Sequence, residues 1–189
     1  MCSVIFGLIR YLISIGMSVP KKILNYLEKQ GVKFEVVPHK KVYTAYDLAQ
    51  TLGEKLEKIA KTLLIQAEIP QIKKTAKKNY LVVIPASYRA NLEKIKKALK
   101  AKSVSIAPEK MITKLDIKPG ALSPFGKMRD LEVLLDKALL KAKDIIVGAE
   151  SFTESLRMKV KDLHKIEDAL VSALGDKVKM GETKKTKKK

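Results

Sequence analysis

The chain has 189 residues, an apolar fraction of 46% and a net charge of +19. This length and composition predict one folded domain with a real core and exclude a generally disordered chain. The charge favours a polyanionic partner, nucleic acid or an anionic membrane surface, although solvated surface lysines would give the same total. Cys2 is the only cysteine and the two histidines stand alone. We therefore expect no disulfide, metal or cofactor, and a reducing, cytoplasmic compartment.

The first sixteen residues, MCSVIFGLIRYLISIG, are apolar but too short to span a bilayer comfortably, and Arg10 interrupts them. They lack the basic start and the cleavage site of a secretory signal. We interpret residues 1–16 as an extension from a start codon placed too early, with Met17 as the true first residue. The alternative is a helix bound to a membrane surface, and we expect no membrane partner.

Predicted helices begin at capping residues and often end at glycine. Thr44 and Asp47 have the spacing of a capping box, and Gly53 closes the same helix. The predicted helical segments are 18–31 (capped by Ser18), 43–53, a short helix at 54–61, 91–101, 108–115, a turn at 137–142, and 162–175.

Predicted strands are short apolar or alternating segments. They are 32–37, 62–66, 80–85, 103–107, 131–136, 144–148 and 155–160, with a polar, hairpin-like excursion over 67–79. Several strands lack a crossover helix, so the sheet should be mixed rather than purely parallel. The fold class is therefore a single α+β domain over 17–175. The tail 176–189 has no apolar period and is predicted to be disordered.

Glycine and proline are concentrated in KPGALSPFG, residues 118–126, which holds two of the nine glycines and two of the seven prolines. Gly120 and Gly126 would permit a positive φ and a close approach to a ligand, while the prolines stiffen the path. Such a loop could aim backbone N–H groups at a carbonyl oxygen, as an oxyanion hole does. VGAES, residues 147–151, would form the facing wall. The alternative is a tight connection between strands without a catalytic role.

Catalytic signatures such as the Gly-x-Ser-x-Gly elbow and the P-loop are absent from the sequence. Lys61 is of interest because it lies where a predicted helix meets a buried strand. Taken alone, it would be expected on the surface, as most lysines are.

Four segments occur in a characteristic order: HKKVYTAYDLAQTLGEKLEKIAKTLLIQ, YLVVIPASYRANLEKIKKAL, KPGALSPFG and IIVGAESFTESLRM. From about His39 to Leu163 the chain resembles the YbaK/ProX family of aminoacyl-tRNA deacylases. The same domain is found as the editing insertion of bacterial prolyl-tRNA synthetases. The resemblance implies a strongly curved mixed sheet surrounded by helices. It also implies hydrolysis of the ester that joins a wrong amino acid to tRNA, without a metal or a covalent enzyme nucleophile.

The resemblance also implies the site. Lys61 would position the substrate, and backbone N–H groups around Gly120 would stabilise the oxyanion. The implied substrate-binding residues are Tyr43, Thr44, Ala121, Pro124, Gly148, Ala149 and Ser155. Asn91 and Ser155 stand where many members carry an acidic residue and some cysteine-specific members carry Asp, respectively. The amino acid removed therefore stays open, with cysteine, alanine, serine, threonine and a non-protein amino acid as candidates.

Mischarged tRNA would be the polyanionic partner, and an aminoacyl-tRNA synthetase a further one. Candidate phosphate contacts are Lys94, Lys97, Lys100 and Lys102, together with the lysines of 73–78 and of the tail. A solvated face is the alternative for each of these runs. The chain is expected to be a monomer. The competing functional hypothesis is a catalytically silent module that binds tRNA, the ribosome or a synthetase, but the retained Lys61 and intact 120–124 loop favour the enzyme.

Overall fold

A computed structural model describes residues 19–72 and 75–178. Its helices are α1 Lys21–Lys29, α2 Ala45–Leu52, α3 Leu92–Leu99, α4 Glu109–Thr113 and α5 Val160–Glu167. Its strands are β1 Phe34–Pro38, β2 Ile59–Pro70, β3 Thr75–Pro85, β4 Tyr88–Ala90, β5 Ser103–Ile106, β6 Glu132–Asp136, β7 Asp144–Gly148, β8 Glu154–Lys159, β9 Leu170–Ser172 and β10 Gly175–Lys177. The predictions for residues 1–18, Lys73, Lys74 and residues 179–189 lie outside the described residues.

Eight strands form one sheet in the order β1-β8-β7-β2-β3-β6-β9, with β5 paired to β2 beside this path. The pairs β2–β7, β3–β6 and β6–β9 are parallel, whereas the other pairs of this sheet are antiparallel. Strands β4 and β10 form a separate antiparallel pair. The predicted mixed sheet is confirmed.

Both faces of the central strands are covered, which explains why 80–85 is apolar at every position. Leu81 and Val83 of β3 pack in the cluster that holds the buried residues of α1 and α5. Val82 and Ile84 alternate with them and pack in the cluster that holds Ile95 of α3. The strand therefore shows a continuous apolar run rather than a period of two.

The predicted capping residues located α2 correctly. The Thr44 hydroxyl oxygen accepts a hydrogen bond from the Asp47 amide at 3.1 Å, and Gly53 ends the helix at φ +64°. This is the predicted capping arrangement. Its consequence for the site is that the first turn of α2 is fixed in place.

The helix predicted over 54–61 is wrong, because β2 begins at Ile59. Ile59 pairs in parallel with Ile146 of β7, and both side chains are buried in a cluster with Leu48. Burial between neighbouring strands outweighs the local helical propensity of this lysine- and glutamate-rich stretch. The predicted excursion over 67–79 is mostly an extension of β2 and β3, paired from Ala60↔Pro85 to Pro70↔Thr75.

The last predicted helix is correct only in its first half. Asp168 adopts φ +48° at the end of α5, and the chain continues as β9 and β10. The carboxylate of Asp136, 1% exposed, accepts hydrogen bonds from the amides of Leu174 at 2.7 Å and Gly175 at 2.9 Å. These long-range contacts hold the segment extended. Because β10 ends at Lys177, disorder from residue 176 onward is also wrong for its first two residues.

Candidate functional site

A cavity of about 100 Å³ lies beside the first residues of β2, the loop at 120–122 and the last residue of β7. The residues that follow β1, the start of α2 and residues 151–155 complete its wall. The predicted site residues that line it are Lys61, Gly120, Tyr43, Thr44, Ala121, Gly148 and Ser155. Pro124 and Ala149 are buried and are not among the lining residues. The fold therefore brings together residues that are up to 112 positions apart.

Lys61 reaches the cavity from β2 and is half-buried. Its Nζ donates a hydrogen bond to the carbonyl oxygen of Tyr88 in β4. Burial and, to a lesser extent, the charge of Arg89 lower the pKa of the Lys61 ammonium below its usual value. The side chain is thus partly desolvated and held by a neighbouring strand, unlike an ordinary surface lysine.

Gly120 occupies a backbone conformation that favours glycine, with φ +89°. A Cβ at this position would lie 3.4 Å from the carbonyl oxygen of Tyr43 and 3.6 Å from the Phe152 ring. There is room for a methyl group, so backbone strain rather than a clash makes glycine preferred here. Among the neighbouring amides, that of Ala121 already donates to the Lys118 carbonyl at 3.0 Å.

Gly126 differs from the expectation, because its φ is −72°. A Cβ there would lie 2.4 Å from the carbonyl oxygen of Leu131 and 2.7 Å from Val133. Glycine is required at position 126 by close packing, not by a positive φ. Together with the fully buried Phe125, it anchors the end of the loop in the core.

The segment 147–151 packs directly on this loop, as predicted for the facing wall. A Cβ on Gly148 would lie 2.9 Å from the carbonyl oxygen of Leu122. Real Cβ atoms essentially never come so close to backbone, so a larger residue would displace the loop. Glycine at 148 therefore sets the distance between two walls of the cavity.

Glu150 connects the same two walls and was not predicted. Its side chain is 4% exposed and its carboxylate lies 2.6 Å from Arg129 Nη2 and 3.2 Å from Lys22 Nζ. The Ser123 hydroxyl donates to it at 3.0 Å. The buried carboxylate thus joins the loop to α1 and to the 3-10 turn Lys127–Arg129. Nothing local in the sequence indicated these partners, which lie up to 128 positions away.

His39, which has no companion in sequence, acquires one in the fold. Its Nε2 lies 2.9 Å from Ser155 Oγ, and its Nδ1 lies 2.8 Å from the carbonyl oxygen of Lys40. The antiparallel pairing of β1 and β8 places Val37 opposite Ser155 and so brings the two segments together. Only the position of His39 two residues after the predicted strand 32–37 could have suggested a role.

An aromatic pair stands at the rim of the cavity. The rings of Tyr43 and Phe152 lie 5.1 Å apart, and Tyr43 is 60% exposed. Lys41 Nζ lies 5.4 Å from the centre of the Tyr43 ring. Phe152 was missed because a single phenylalanine in a loop carries no distinctive pattern.

The predicted phosphate contacts lie outside the cavity wall. Lys97, Lys100 and Lys102 are exposed. Lys94 instead forms an ion pair with Asp176 of β10 and therefore has a structural partner.

Among residues 19–72 and 75–178, no group of three or more His, Cys, Asp or Glu side chains is arranged to hold a metal ion. In the same ranges, each helix is too short or too polar to cross a bilayer.

Residues 39–166 match the family model of the aminoacyl-tRNA editing domain. The chain belongs to this family, and the predicted resemblance is confirmed. It is similar to the prolyl-tRNA editing protein ProX of Acetoanaerobium sticklandii, with 24% identity over 79% of this chain and 91% of ProX. It also matches a proline–tRNA ligase of Thermosipho melanesiensis, with 27% identity over 60% of this chain and 19% of the ligase.

The fold is shared with a solved structure described as a candidate trans-editing enzyme for prolyl tRNA synthetase. The TM-score is 0.72 at 22% sequence identity, and the match covers 86% of this chain and 99% of that one. The likeness confirms the predicted editing-domain fold.

Proposed function

We propose that this protein is a free-standing deacylase that hydrolyses the ester bond of mischarged aminoacyl-tRNA. The observation that carries the proposal is that Lys61 and Gly120 line the same cavity, of about 100 Å³. The chain in which they do so belongs to the aminoacyl-tRNA editing domain family. The ester of an aminoacyl-tRNA is already activated. Its hydrolysis therefore requires positioning and stabilisation of the developing oxyanion more than a strong nucleophile.

In the proposed mechanism the backbone N–H of Gly120 donates to the carbonyl oxygen as negative charge develops on it. The amide of Ala121 is less suited because it is bonded to Lys118. The ammonium group of Lys61 holds the ribose, the phosphate or the carbonyl of the terminal aminoacyl-adenosine. Water attacks the carbonyl carbon, the bond to the ribose oxygen breaks, and the ribose hydroxyl leaves with a proton. If the ribose 2′-hydroxyl or a substrate side chain attacks first, it forms a new ester or thioester, which water then hydrolyses. One such donor is worth about 3–4 kcal/mol in other enzymes.

Because the cavity is small, it favours tRNA esters of small amino acids as substrates. One methylene changes discrimination by only about 1–3 kcal/mol, so synthetases cannot always reject substrates smaller than their own. A separate hydrolase with a small pocket corrects those errors. ProX is named for prolyl-tRNA editing, and this likeness makes mischarged proline tRNA the first substrate to test.

We further propose that the exposed lysines of α3 and the loop that follows it contact tRNA phosphates. The protein would act in the cytoplasm as a monomer, alone or beside a synthetase.

The deciding experiment incubates the pure protein with a panel of tRNAs mischarged with alanine, cysteine, serine or threonine. We expect release of at least one amino acid, with correctly charged tRNA left intact and with the same rate in EDTA. Binding of tRNA without release of any amino acid would support a silent module instead.

A further inference from the structure

The hydrogen bonds around His39 have a defined direction. A carbonyl oxygen can only accept, so the contact of 2.8 Å between His39 Nδ1 and the Lys40 carbonyl requires a hydrogen on Nδ1. In the neutral imidazole the other nitrogen, Nε2, is then an acceptor. Its partner at 2.9 Å, the Ser155 hydroxyl, must donate to it.

This direction determines what Ser155 offers to the cavity. Its single hydrogen is directed to His39, so the oxygen can act toward a ligand only as an acceptor. Ser155 is 3% exposed and lines the cavity, and β8 holds it between β1 and β7. The chain of hydrogen bonds from Lys40 through His39 thus ends in a fixed acceptor on the cavity wall.

We propose that the His39–Ser155 pair recognises the α-ammonium group of the aminoacyl moiety, with Ser155 as its acceptor and His39 as a positioning residue. An ammonium group only donates hydrogen bonds, and its charge strengthens each one. The inference deepens the proposed function and rests on it. The group recognised is common to the candidate amino acids, so the pair selects a free amino terminus rather than a particular side chain.

The test uses two amide analogues that cannot be hydrolysed, 3′-(L-alanylamino)-3′-deoxyadenosine and its 3′-propionylamino counterpart. They differ only in the ammonium group. Affinities are measured by NMR titration at about pH 7.5, where most histidine side chains are neutral and most α-amino groups are charged. We expect the parent protein to bind the alanyl compound at least about tenfold more tightly.

The variants separate recognition from structure. Ser155→Ala and His39→Phe should bind the two analogues equally while binding the propionyl compound as the parent does. His39→Gln should keep the discrimination, because the carboxamide oxygen can accept the serine hydrogen. Thermal unfolding verifies that each variant is folded.

The inference is overturned if the parent binds both analogues alike or neither, if Ser155→Ala still discriminates, or if the variants weaken both analogues equally. Failure of His39→Gln to discriminate removes the positioning role of His39. Since the amides cannot react, these outcomes do not depend on catalysis. A failure of the proposed hydrolysis is recognised separately, in the release assay with mischarged tRNA.

Discussion

At the scale of single residues, burial distinguishes Lys61 from the lysines of the surface. It contacts the Tyr88 carbonyl and lines the cavity, whereas Lys77 on β3 is exposed and paired with Glu68. We expect Lys61→Ala to lower the deacylation rate at least about a hundredfold, the size of effect seen when one oxyanion donor is removed. Single-turnover kinetics at saturating enzyme measure this, with Lys77→Ala as the matched control, because saturation removes any effect of this lysine on tRNA binding. A rate near that of the parent would remove Lys61 from the mechanism.

Gly120→Ala tests the loop without creating a clash. The methyl group fits, but φ +89° strains any residue with a Cβ and will rotate the amide. We expect a rate loss of at least about tenfold, or about 1.4 kcal/mol of barrier, for every amino acid tested.

Gly31→Ala is the matched control, because Gly31 has φ +64° and open space around it. Both variants should lose about 1–2 kcal/mol of stability. Only Gly120→Ala should lose catalytic rate. Equal rates in the two variants would show that the loop is a connection without a catalytic role.

At the scale of elements, the spacing between the loop and the end of β7 should control catalysis. In Gly148→Ala the new Cβ would lie 2.9 Å from the Leu122 carbonyl, so the loop must move by several tenths of an ångström. Such overpacking costs about 1–3 kcal/mol of stability. We expect the deacylation rate, measured well below the thermal midpoint, to fall in the folded variant. An unchanged rate would show that the spacing is not critical.

Glu167 makes the packing of α1 against α5 depend on pH. Its buried carboxylate accepts from Tyr26 Oη at 2.9 Å and from the Lys127 amide at 2.9 Å. Burial nevertheless raises the pKa of Glu167 above its ordinary value of 4.5, outweighing the hydrogen bonds that lower it. The folded state therefore binds this proton more tightly than the unfolded chain. Its contribution to stability is complete below the ordinary value and is lost as pH rises through the raised pKa.

We expect Glu167→Gln to be free of this dependence. The free energy of unfolding of the parent minus that of the variant should decrease as pH rises from about 4.5 toward neutrality. Urea unfolding at a series of pH values measures the difference. A constant or increasing difference would contradict the direction of the pKa shift.

At the scale of the whole molecule, two truncations separate two effects. One is the contribution of the basic tail to the net charge of +19, and the other is the contribution of β10 to stability. Removing residues 179–189, which carry six lysines, should weaken tRNA binding and flatten its salt dependence without lowering the thermal midpoint. For duplexes, log affinity changes by about 0.9 per neutralised phosphate per log unit of salt. Removing 176–189 should also lower the midpoint, because Asp176 bonds to Asn91 at 2.7 Å and pairs with Lys94. An unchanged salt slope would mean that the tail does not touch RNA.

The sequence by itself determined the features that depend on neighbours within a few positions. The Thr44 cap and the Gly53 end of α2 are of this kind, because their hydrogen bonds span three or four residues. The ordered segments also identified the family, and with it Lys61 and Gly120. Apolar runs located the central strands, because burial on both faces requires them.

Only the tertiary structure decided the features that depend on distant partners. The helical pattern near Ile59 and after Asp168 gave way to strands, because pairing with β7 and β6 buries backbone and side chains that a helix would leave unmatched. His39 met Ser155 across 116 positions for the same reason. A local pattern encodes propensity and periodicity, whereas contacts between segments far apart depend on strand order. The order of the strands in the sheet therefore decided that Lys61 and Gly120 line the same cavity.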